Sequence, residues 1–275
     1  MKTLDLGLKW IRPFFRSRDW TYKIRQGLAA GLKRKGGFGF IPRSLSPEEK
    51  LLARLEWAGR TVYDVGGYEG VFTLFFSKAV GPAGRVITFE PNPVNCGRIR
   101  ENIRLNRLDN VELLQLGLGA CGGRGKLVYW PEEPARGTLN ASYQESLQLQ
   151  RQTMCVEIEV DSLDHQLELR HLPPPDFIKI DVEAAELEVL DGMHQTLALH
   201  HPRLFIEVHS GVDARRLAQG LLERHYRLHH VESDTRIDLT NTRAAYNGHL
   251  YCVPPAAPHT EAASMAGFSP MDRAS

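Results

Sequence analysis

The sequence predicts an α/β fold in which a mostly parallel sheet is flanked by helices, and three observations indicate it. The stretch from Thr61 to Pro93 has the pattern of a strand, a glycine turn, a helix and a second strand in one short unit. Further apolar strands follow, separated by segments with helical spacing, as in repeated β–α units. The chain has 275 residues, 42% of them hydrophobic, so it can bury the core that this fold needs.

The first unit carries the clearest pattern. The β-forming residues of Thr61–Val65 predict a buried strand that ends at Asp64 and Val65. The turn after it contains Gly66, Gly67 and Gly70. Apolar side chains then recur at helical spacing, and Gly81 ends this helix before a second strand over Arg85–Phe89. This is half of a Rossmann-like, nucleotide-binding fold.

Two acids beside the glycine turn indicate which ligand it holds. Asp64 at the strand end and Glu69 in the turn would repel the pyrophosphate of a dinucleotide, and the glycine spacing is not G-x-G-x-x-G. S-adenosylmethionine fits better, because its methionine end carries an ammonium and a sulfonium group and no phosphate. Glu90 closes the second strand about 20 residues after Gly70, where an acid that accepts ribose hydroxyls is expected.

The middle of the chain predicts the adenine side of this pocket. Val111–Leu116 has the pattern of a third strand, and in this topology the loop after it, with Gly117 and Leu118, lies near the base. The polar stretch from Pro131 to Arg151 is predicted to be an irregular loop. Its function as a lid over the substrate and plain disorder both remain open.

A second chemical centre follows the apolar strand Phe177–Ile180. Asp181, Glu183 and Glu186 lie at its carboxyl end, where ligands bind in α/β sheets. Acids that complement a helix dipole would explain Glu183 and Glu186, but they explain Asp181 less well. We therefore predict that Asp181 contacts both the cofactor and the acceptor.

His209 follows the strand Leu204–Val208 and is the best placed of the eleven histidines. A structural role is the alternative for a lone histidine. The catalytic candidates are Asp181, His209, Glu183 and Glu186, one of which would serve as the general base.

Composition bears on metal binding, cellular location and the type of partner. Four cysteines, far apart and without a C-x-x-C pair, and histidines without a consistent spacing predict no metal site. There is no apolar run of about 18 residues and no signal-peptide core at the start, so we expect a cytoplasmic location. The formal net charge of +1 does not favour a nucleic-acid partner, and the oligomeric state is not indicated.

The ends of the chain differ from its centre. Residues 1–45 are predicted to form a basic helical extension, 46–253 the catalytic domain, and 254–275 a disordered tail rich in proline and alanine. The extension mixes lysine and arginine with aromatic residues, which could place it on an anionic membrane or glycolipid. A solvated helix that packs its aromatic side chains on the core is the alternative.

Several motifs together resemble one known family, the FkbM-type methyltransferases. They are VYDVGGYEGVFTL, GRVITFEPNP, ENIRLN with DNVELLQLGLG, VDSLD, IKIDVEAAELEVLDGM and FIEVH. The resemblance implies a class I methyltransferase fold with a seven-stranded, mostly parallel sheet whose last hairpin is reversed. It also implies S-adenosylmethionine as the methyl donor, O-methylation of a hydroxyl on a sugar, glycan or other natural product, and Asn92 of FEPNP in the cofactor site.

The sequence departs from this family where Ala184 replaces a usual glycine, and we expect no left-handed turn there. Two other functions remain open. The first is a non-catalytic module that binds an adenosine ligand and is tethered to a membrane or a complex. The second is an RNA methyltransferase, suggested by the basic and aromatic start of the chain.

Overall fold

The computed structural model of the protein describes residues 20–36, 44–131, 133–139, 144–145, 148–149, 152–210 and 212–255. In this part of the chain the strands form an eight-stranded main sheet, a four-stranded small sheet and a two-stranded ribbon. Within the same residues, no helix has the length and apolar character needed to span a bilayer.

The elements are numbered in chain order. The strands are β1 Thr21–Lys23, β2 Lys33–Lys35, β3 Thr61–Val65, β4 Arg85–Phe89, β5 Val111–Leu114, β6 Gly117–Leu118, β7 Gly123–Trp130, β8 Glu133–Thr138, β9 Met154–Asp161, β10 Phe177–Ile180, β11 Arg203–Val208, β12 Arg227–His230, β13 Thr235–Ile237 and β14 Gly248–Val253. The helices are α1 Pro47–Leu52, α2 Val71–Val80, α3 Pro93–Asn106, α4 Leu163–Arg170, α5 Glu186–Asp191, α6 His194–His200 and α7 Ala214–Glu223.

The main sheet confirms the predicted fold class. Its strand order is β13-β12-β14-β11-β10-β3-β4-β5, and the five strands from β11 to β5 are parallel. β14 runs antiparallel between β11 and β12, which is the reversed last hairpin. The sheet differs from the expected seven strands only by β13, a three-residue strand added at the β12 edge.

The unit from β3 to β4 is folded as predicted. β3 and β4 pair in parallel, in a register that joins Thr61 to Arg85 and Val65 to Phe89. Gly70, with φ +83°, precedes α2, and Gly81, with φ +66°, ends it. Both glycines adopt a backbone conformation that is costly for other residues, so they fix where the helix begins and ends.

The strands divide their side chains between two cores because successive residues in a strand point to opposite faces. On one face Trp57 packs against Phe75, Phe76 and Phe177, with ring centroids 5.7, 5.2 and 4.8 Å away. On the other face, strand residues such as Tyr63 pack against α4 to α7. With both faces covered, only the strand ends remain to form a ligand site.

The described part of the N-terminal extension is not helical, which corrects our prediction for residues 20–36. β1 and β2 form an antiparallel ribbon that lies on α3. The backbone N–H groups of Lys33 and Lys35 donate to the side chains of Asn106 and Asn102, at 2.7 and 2.8 Å. The ribbon therefore depends on tertiary hydrogen bonds that no local pattern reveals. Residues 1–19 lie outside the described residues.

The small sheet corrects the prediction of an irregular loop over Pro131–Arg151. Residues Glu133–Thr138 form β8, which pairs with β7, and β9 pairs with β7 and β6, giving the order β6-β9-β7-β8. Residues 140–143 lie outside the described residues, so the lid hypothesis for this segment stays a prediction. Residues 256–275, which include nearly all of the predicted tail, also lie outside.

Candidate active site

A cavity of about 170 Å³ lies at the carboxyl ends of the parallel strands. It opens where the sheet order reverses, with β4 and β5 on one side of β3 and β10 and β11 on the other. Such a reversal is where open α/β sheets bind ligands. The predicted residues that line the cavity are Gly66, Glu90, Asn92, Gly117, Leu118, Asp181, Glu183 and His209. Tyr68, Asn95 and Glu207 also line it, although the sequence did not single them out.

Gly66 allows the ends of β3 and β10 to meet at this cavity. Its φ is +82°, and a Cβ atom built on it would lie 1.8 Å from the carbonyl oxygen of Asp181. A side chain is therefore excluded both by backbone conformation and by space. Gly67 has a related function on the other side of the turn, since a Cβ there would lie 2.4 Å from Cγ2 of Thr88.

Glu90 forms the polar end of the cavity on the β4 side. Its carboxylate accepts hydrogen bonds from the backbone N–H groups of Tyr68 and Asn92, at 2.8 and 2.9 Å, and from Nδ2 of Asn95 at 3.2 Å. Burial raises the pKa of Glu90 to about 7, although these three donors act in the opposite direction.

Asn92 supplies an unused donor beside Glu90. Its Oδ1 atom accepts from the N–H of Val94 at 3.0 Å, which caps α3 and fixes the orientation of the amide. Its Nδ2 atom is buried and has no hydrogen-bond partner among the described residues. A buried donor beside a buried acceptor fits a ligand with hydroxyl groups, such as the ribose of S-adenosylmethionine, because a hydroxyl both donates and accepts.

We expect Glu90 to make the free energy of unfolding fall as the pH rises from about 4.5 to about 7. In that range Glu90 binds more protons in the native state, where its pKa is higher, than in the unfolded state. Raising the pH from about 4.5 to about 7 therefore lowers the free energy of unfolding by about 3 kcal/mol, and Glu90 has no further effect above about pH 7. Urea unfolding between pH 4.5 and 8 would measure this slope for the native chain and for Glu90→Gln. The slope should be flatter in the variant, and parallel curves would contradict the assignment.

Asp64, which was expected beside the ligand, lies beneath the cavity and does not line it. It is completely buried and accepts a hydrogen bond from Oγ1 of Thr73 at 2.6 Å. In the register of β3 and β10 it is paired with Lys179, whose Nζ atom lies 3.9 Å from Asp64 Oδ1. Burial raises the pKa of Asp64 despite this cation. Its position is that of a buried counter-charge for Lys179.

The other predicted residues of the glycine turn also point away from the cavity. The carboxylate of Glu69 pairs with Arg34 of β2 at 2.5 Å, and its carbonyl oxygen accepts from Asn102 at 3.0 Å. A Cβ atom on Gly70 would lie 3.2 Å from the side chain of Ile99. Glu69 therefore joins the N-terminal ribbon to the domain, and Gly70 allows α2 to pack against α3.

Lys179 joins the buried layer to the cavity. Its Nζ atom donates to Oδ2 of Asp181 at 2.9 Å and lies 4.7 Å from the centre of the Phe72 ring. Burial alone would raise the pKa of Asp181, but Lys179 and then His209 hold it below its usual range. Asp181 therefore stays ionised at the edge of the cavity.

His209 lies among four carboxylates. Nδ1 is 2.7 Å from Oε1 of Glu186, and Nε2 is 3.8, 3.7 and 3.6 Å from oxygens of Asp181, Glu183 and Glu207. Burial alone would lower its pKa, but the hydrogen bond to Glu186 and the charges of Glu183 and Asp181 raise it to about 9. The imidazole is therefore protonated at neutral pH.

Glu186 is a positioning residue in this arrangement. Its side chain is completely buried and does not line the cavity, although it was predicted among the catalytic candidates. Its carboxylate orients the His209 ring from behind, through Nδ1. Its second oxygen, Oε2, is buried without a hydrogen-bond partner among the described residues.

The turn that carries Glu183 is left-handed, which corrects our expectation for Ala184. The φ angles are +52° at Glu183 and +75° at Ala184. Such angles cost about 1–2 kcal/mol for residues with a Cβ atom, and they persist only where the surrounding structure fixes them. One such contact is the hydrogen bond from Oγ1 of Thr138 to the carbonyl oxygen of Glu183, at 2.5 Å. The turn brings the Glu183 side chain to the cavity.

A second, larger hollow of about 590 Å³ lies between α5, α6 and α7. Charged surface side chains such as Asp191, Arg216 and Arg224 line it. None of the predicted site residues is among its lining residues, and it lies away from the strand ends. The smaller cavity, with its buried polar groups, is therefore the candidate site.

Comparison with known proteins shows the family to which this chain is similar. Residues 64–228 match the family model described as the methyltransferase FkbM domain. A crystal structure of methyltransferase FkbM from Methylobacillus flagellatus aligns with 75% of this chain and 50% of its own, with 19% identity and a TM-score of 0.49.

Two curated relatives match with 31% identity. Methyltransferase sdnD of Sordaria araneosa matches over 157 residues, 49% of this chain and 60% of its own length. The hexuronic acid methyltransferase AglP of Haloferax volcanii matches over 164 residues, 59% of this chain and 61% of its own. The match thus spans about six-tenths of the length of these relatives.

Proposed function

The chain belongs to the FkbM methyltransferase domain family, and from this premise we propose that it transfers a methyl group from S-adenosylmethionine to a hydroxyl of a sugar, glycan or other natural product. The observation that carries the proposal is one cavity with two different ends. Glu90 and Asn92 form a buried hydroxyl-binding end, and the carboxylates around His209 form an end that can accept a proton.

The donor end suits the adenosine part of the cofactor. Glu90 and Asn92 would bind the ribose, the backbone of Gly117 and Leu118 would lie near the base, and Gly66 leaves room for close approach. S-adenosylmethionine, when bound, supplies a methyl group activated by its sulfonium. The excess of carboxylates at the other end of the cavity favours the positive charge of its methionine part.

At the acceptor end we assign the proton acceptor to Glu183. His209 is protonated at neutral pH, and Asp181 is a weak base because Lys179 lowers its pKa. Glu183 lies in the cavity on a left-handed turn, a geometry typical of residues held for function. Its carboxylate would accept the hydroxyl proton as the oxygen attacks, while Asp181 and His209 orient the acceptor.

Two of the described basic residues near the start of the chain pair with acids of the domain. Arg34 and Lys35 pair with Glu69 and Glu101 of the domain, at 2.5 and 2.8 Å. These two side chains thus contribute to packing. Contact between residues 1–19 and an anionic membrane or glycolipid remains part of the proposal, and vesicle binding with and without those residues would test it.

Calorimetry with S-adenosylmethionine, S-adenosylhomocysteine and NAD tests the donor site. We expect micromolar binding of the first two compounds and none of NAD, and tight binding of NAD alone would contradict the proposal. Labelled methyl transfer to neutral sugars, hexuronic acids, glycolipid extracts and RNA would identify the acceptor. The acidic cavity favours a neutral hydroxyl compound, whereas the named activity of the archaeal relative argues for including sugar acids. Methylation of RNA alone would support the other enzyme class.

A further inference from the structure

The Nε2 atom of His209 faces three carboxylate oxygens at distances too long for hydrogen bonds. Oxygens of Asp181, Glu183 and Glu207 lie 3.6 to 3.8 Å from it, whereas a hydrogen bond would bring them to about 2.7–3.2 Å. The nitrogen and the oxygens therefore surround a small space instead of bonding to one another.

The spacing of these atoms suits a bound cation. One ligand atom each of Asp181, Glu207 and His209 lies within 4.8 Å of the other two. Neighbouring ligands of a six-coordinate ion with bonds of about 2.1 Å lie about 3 Å apart, so each atom would have to move inward by less than about 1 Å. Asp181 directly follows β10, Glu207 lies in β11 and His209 directly follows β11, so the ends of two strands set the spacing.

Glu186 provides an independent indication. Metal-bound histidines almost always donate their other ring N–H to a carboxylate or a carbonyl group, which fixes the tautomer. Nδ1 of His209 lies 2.7 Å from a completely buried Glu186 carboxylate, which leaves Nε2 facing the cavity. The other oxygen of Glu186 is buried and has no hydrogen-bond partner among the described residues. An extra positive charge in this site would offset that cost.

We propose that Asp181, Glu207 and His209 bind one divalent cation, best matched by Mn²⁺. Carboxylate ligands favour Mg²⁺, Ca²⁺ and Mn²⁺, and an imidazole ligand shifts the preference toward transition metals, so Mn²⁺ satisfies both. The catalytic role that we assign to this ion rests on the proposed function. The ion would displace the proton from Nε2 of His209, because only a neutral imidazole binds a metal. It would also take the acceptor hydroxyl as a further ligand and lower the pKa of that hydroxyl, and Glu183 would then accept the hydroxyl proton.

Mn²⁺ binding to the untagged, chelator-treated chain, followed by electron paramagnetic resonance without any donor or acceptor, tests the site directly. We expect about one ion per chain, and at least tenfold weaker binding in Asp181→Asn and in Glu207→Gln. Glu48→Gln is the matched control, because Glu48, Glu232 and His249 form another acid–histidine group of similar composition. Circular dichroism would verify that each variant is folded.

Absence of Mn²⁺ binding, or binding that is lost only in Glu48→Gln, would overturn the proposal. Methyl transfer with and without EDTA separates it from the proposed function. We expect EDTA to reduce turnover at least tenfold and Mn²⁺ to restore it. Transfer that is unchanged in EDTA would overturn the catalytic role of the ion while the methyltransferase proposal stands. If the chain bound Mn²⁺ but no S-adenosylmethionine, the cation site would stand and the methyltransferase proposal would be overturned.

Discussion

Glu183→Gln is expected to lower kcat by about 10²- to 10⁴-fold and to leave the affinity for S-adenosylmethionine within about threefold. The amide keeps the size of the side chain but cannot accept a proton from the acceptor hydroxyl. The proposed contacts to the adenosine part of the donor lie at the Glu90 end of the cavity, and Asp181 and Glu207 keep their negative charge at the other end, so most of the donor affinity should survive. Initial rates at saturating donor, together with calorimetry of S-adenosylhomocysteine, would separate the two effects.

Glu188→Gln is the matched control for this prediction. Glu188 lies on the exposed side of α5, five residues along the chain, and does not line the cavity. Its substitution should leave both kcat and donor affinity unchanged. Near-normal turnover of the Glu183 variant, or an equal loss in both variants, would show that the proton goes elsewhere.

Gly66→Ala is expected to lower the free energy of unfolding by at least about 3 kcal/mol and to abolish donor binding. The added methyl group would lie 1.8 Å from a backbone carbonyl oxygen of the neighbouring strand end, and neither strand can move without disturbing the sheet. Urea unfolding measures the loss, and calorimetry of S-adenosylhomocysteine measures binding.

Gly81→Ala separates the clash from the backbone cost. Gly81 also has a positive φ, +66°, but a Cβ atom there would have no described atom within 4 Å. Because Gly81 combines this φ with a ψ of −171°, a conformation that is essentially limited to glycine, we expect a loss of about 1–3 kcal/mol and unchanged donor binding. Equal destabilisation by the two substitutions would mean that the contact between Gly66 and Asp181 is not what requires glycine.

The main sheet could be predicted from the sequence because its strands and turns are specified by residues that are close together in the chain. Glycines at 66, 70 and 81 punctuate the chain where left-handed backbone is needed, and runs such as Phe177–Ile180 are apolar because both faces of the sheet are covered. The ribbon of β1 and β2 gave no such signal. Its three-residue strands depend on side chains of α3 that are more than 60 residues away.

The site was predicted less completely because the direction in which a side chain points at a strand end depends on how that strand pairs with its neighbours. Asp64 and Lys179 are paired across neighbouring strands, and Asp64 lies beneath the cavity and does not line it. Glu207 was missed as a site residue, although an acid two residues before His209 in FIEVH was a usable signal, since alternate residues near a strand end share a face. The left-handed turn at Ala184 was missed because alanine itself gives no sign of it, although the glycine that is usual at this position in the family was a usable signal.

The small sheet has a consequence for how this protein can change. It lies in the chain between β5 and α4, and in the described residues none of its strands pairs with the main sheet. Leu127, Gly137 and Leu139 nevertheless line the cavity. Insertions, deletions or grafts in this segment would therefore leave the register of the main sheet intact while changing the shape of one wall of the cavity. New acceptor preferences can thus evolve in this segment without a change in the rest of the fold.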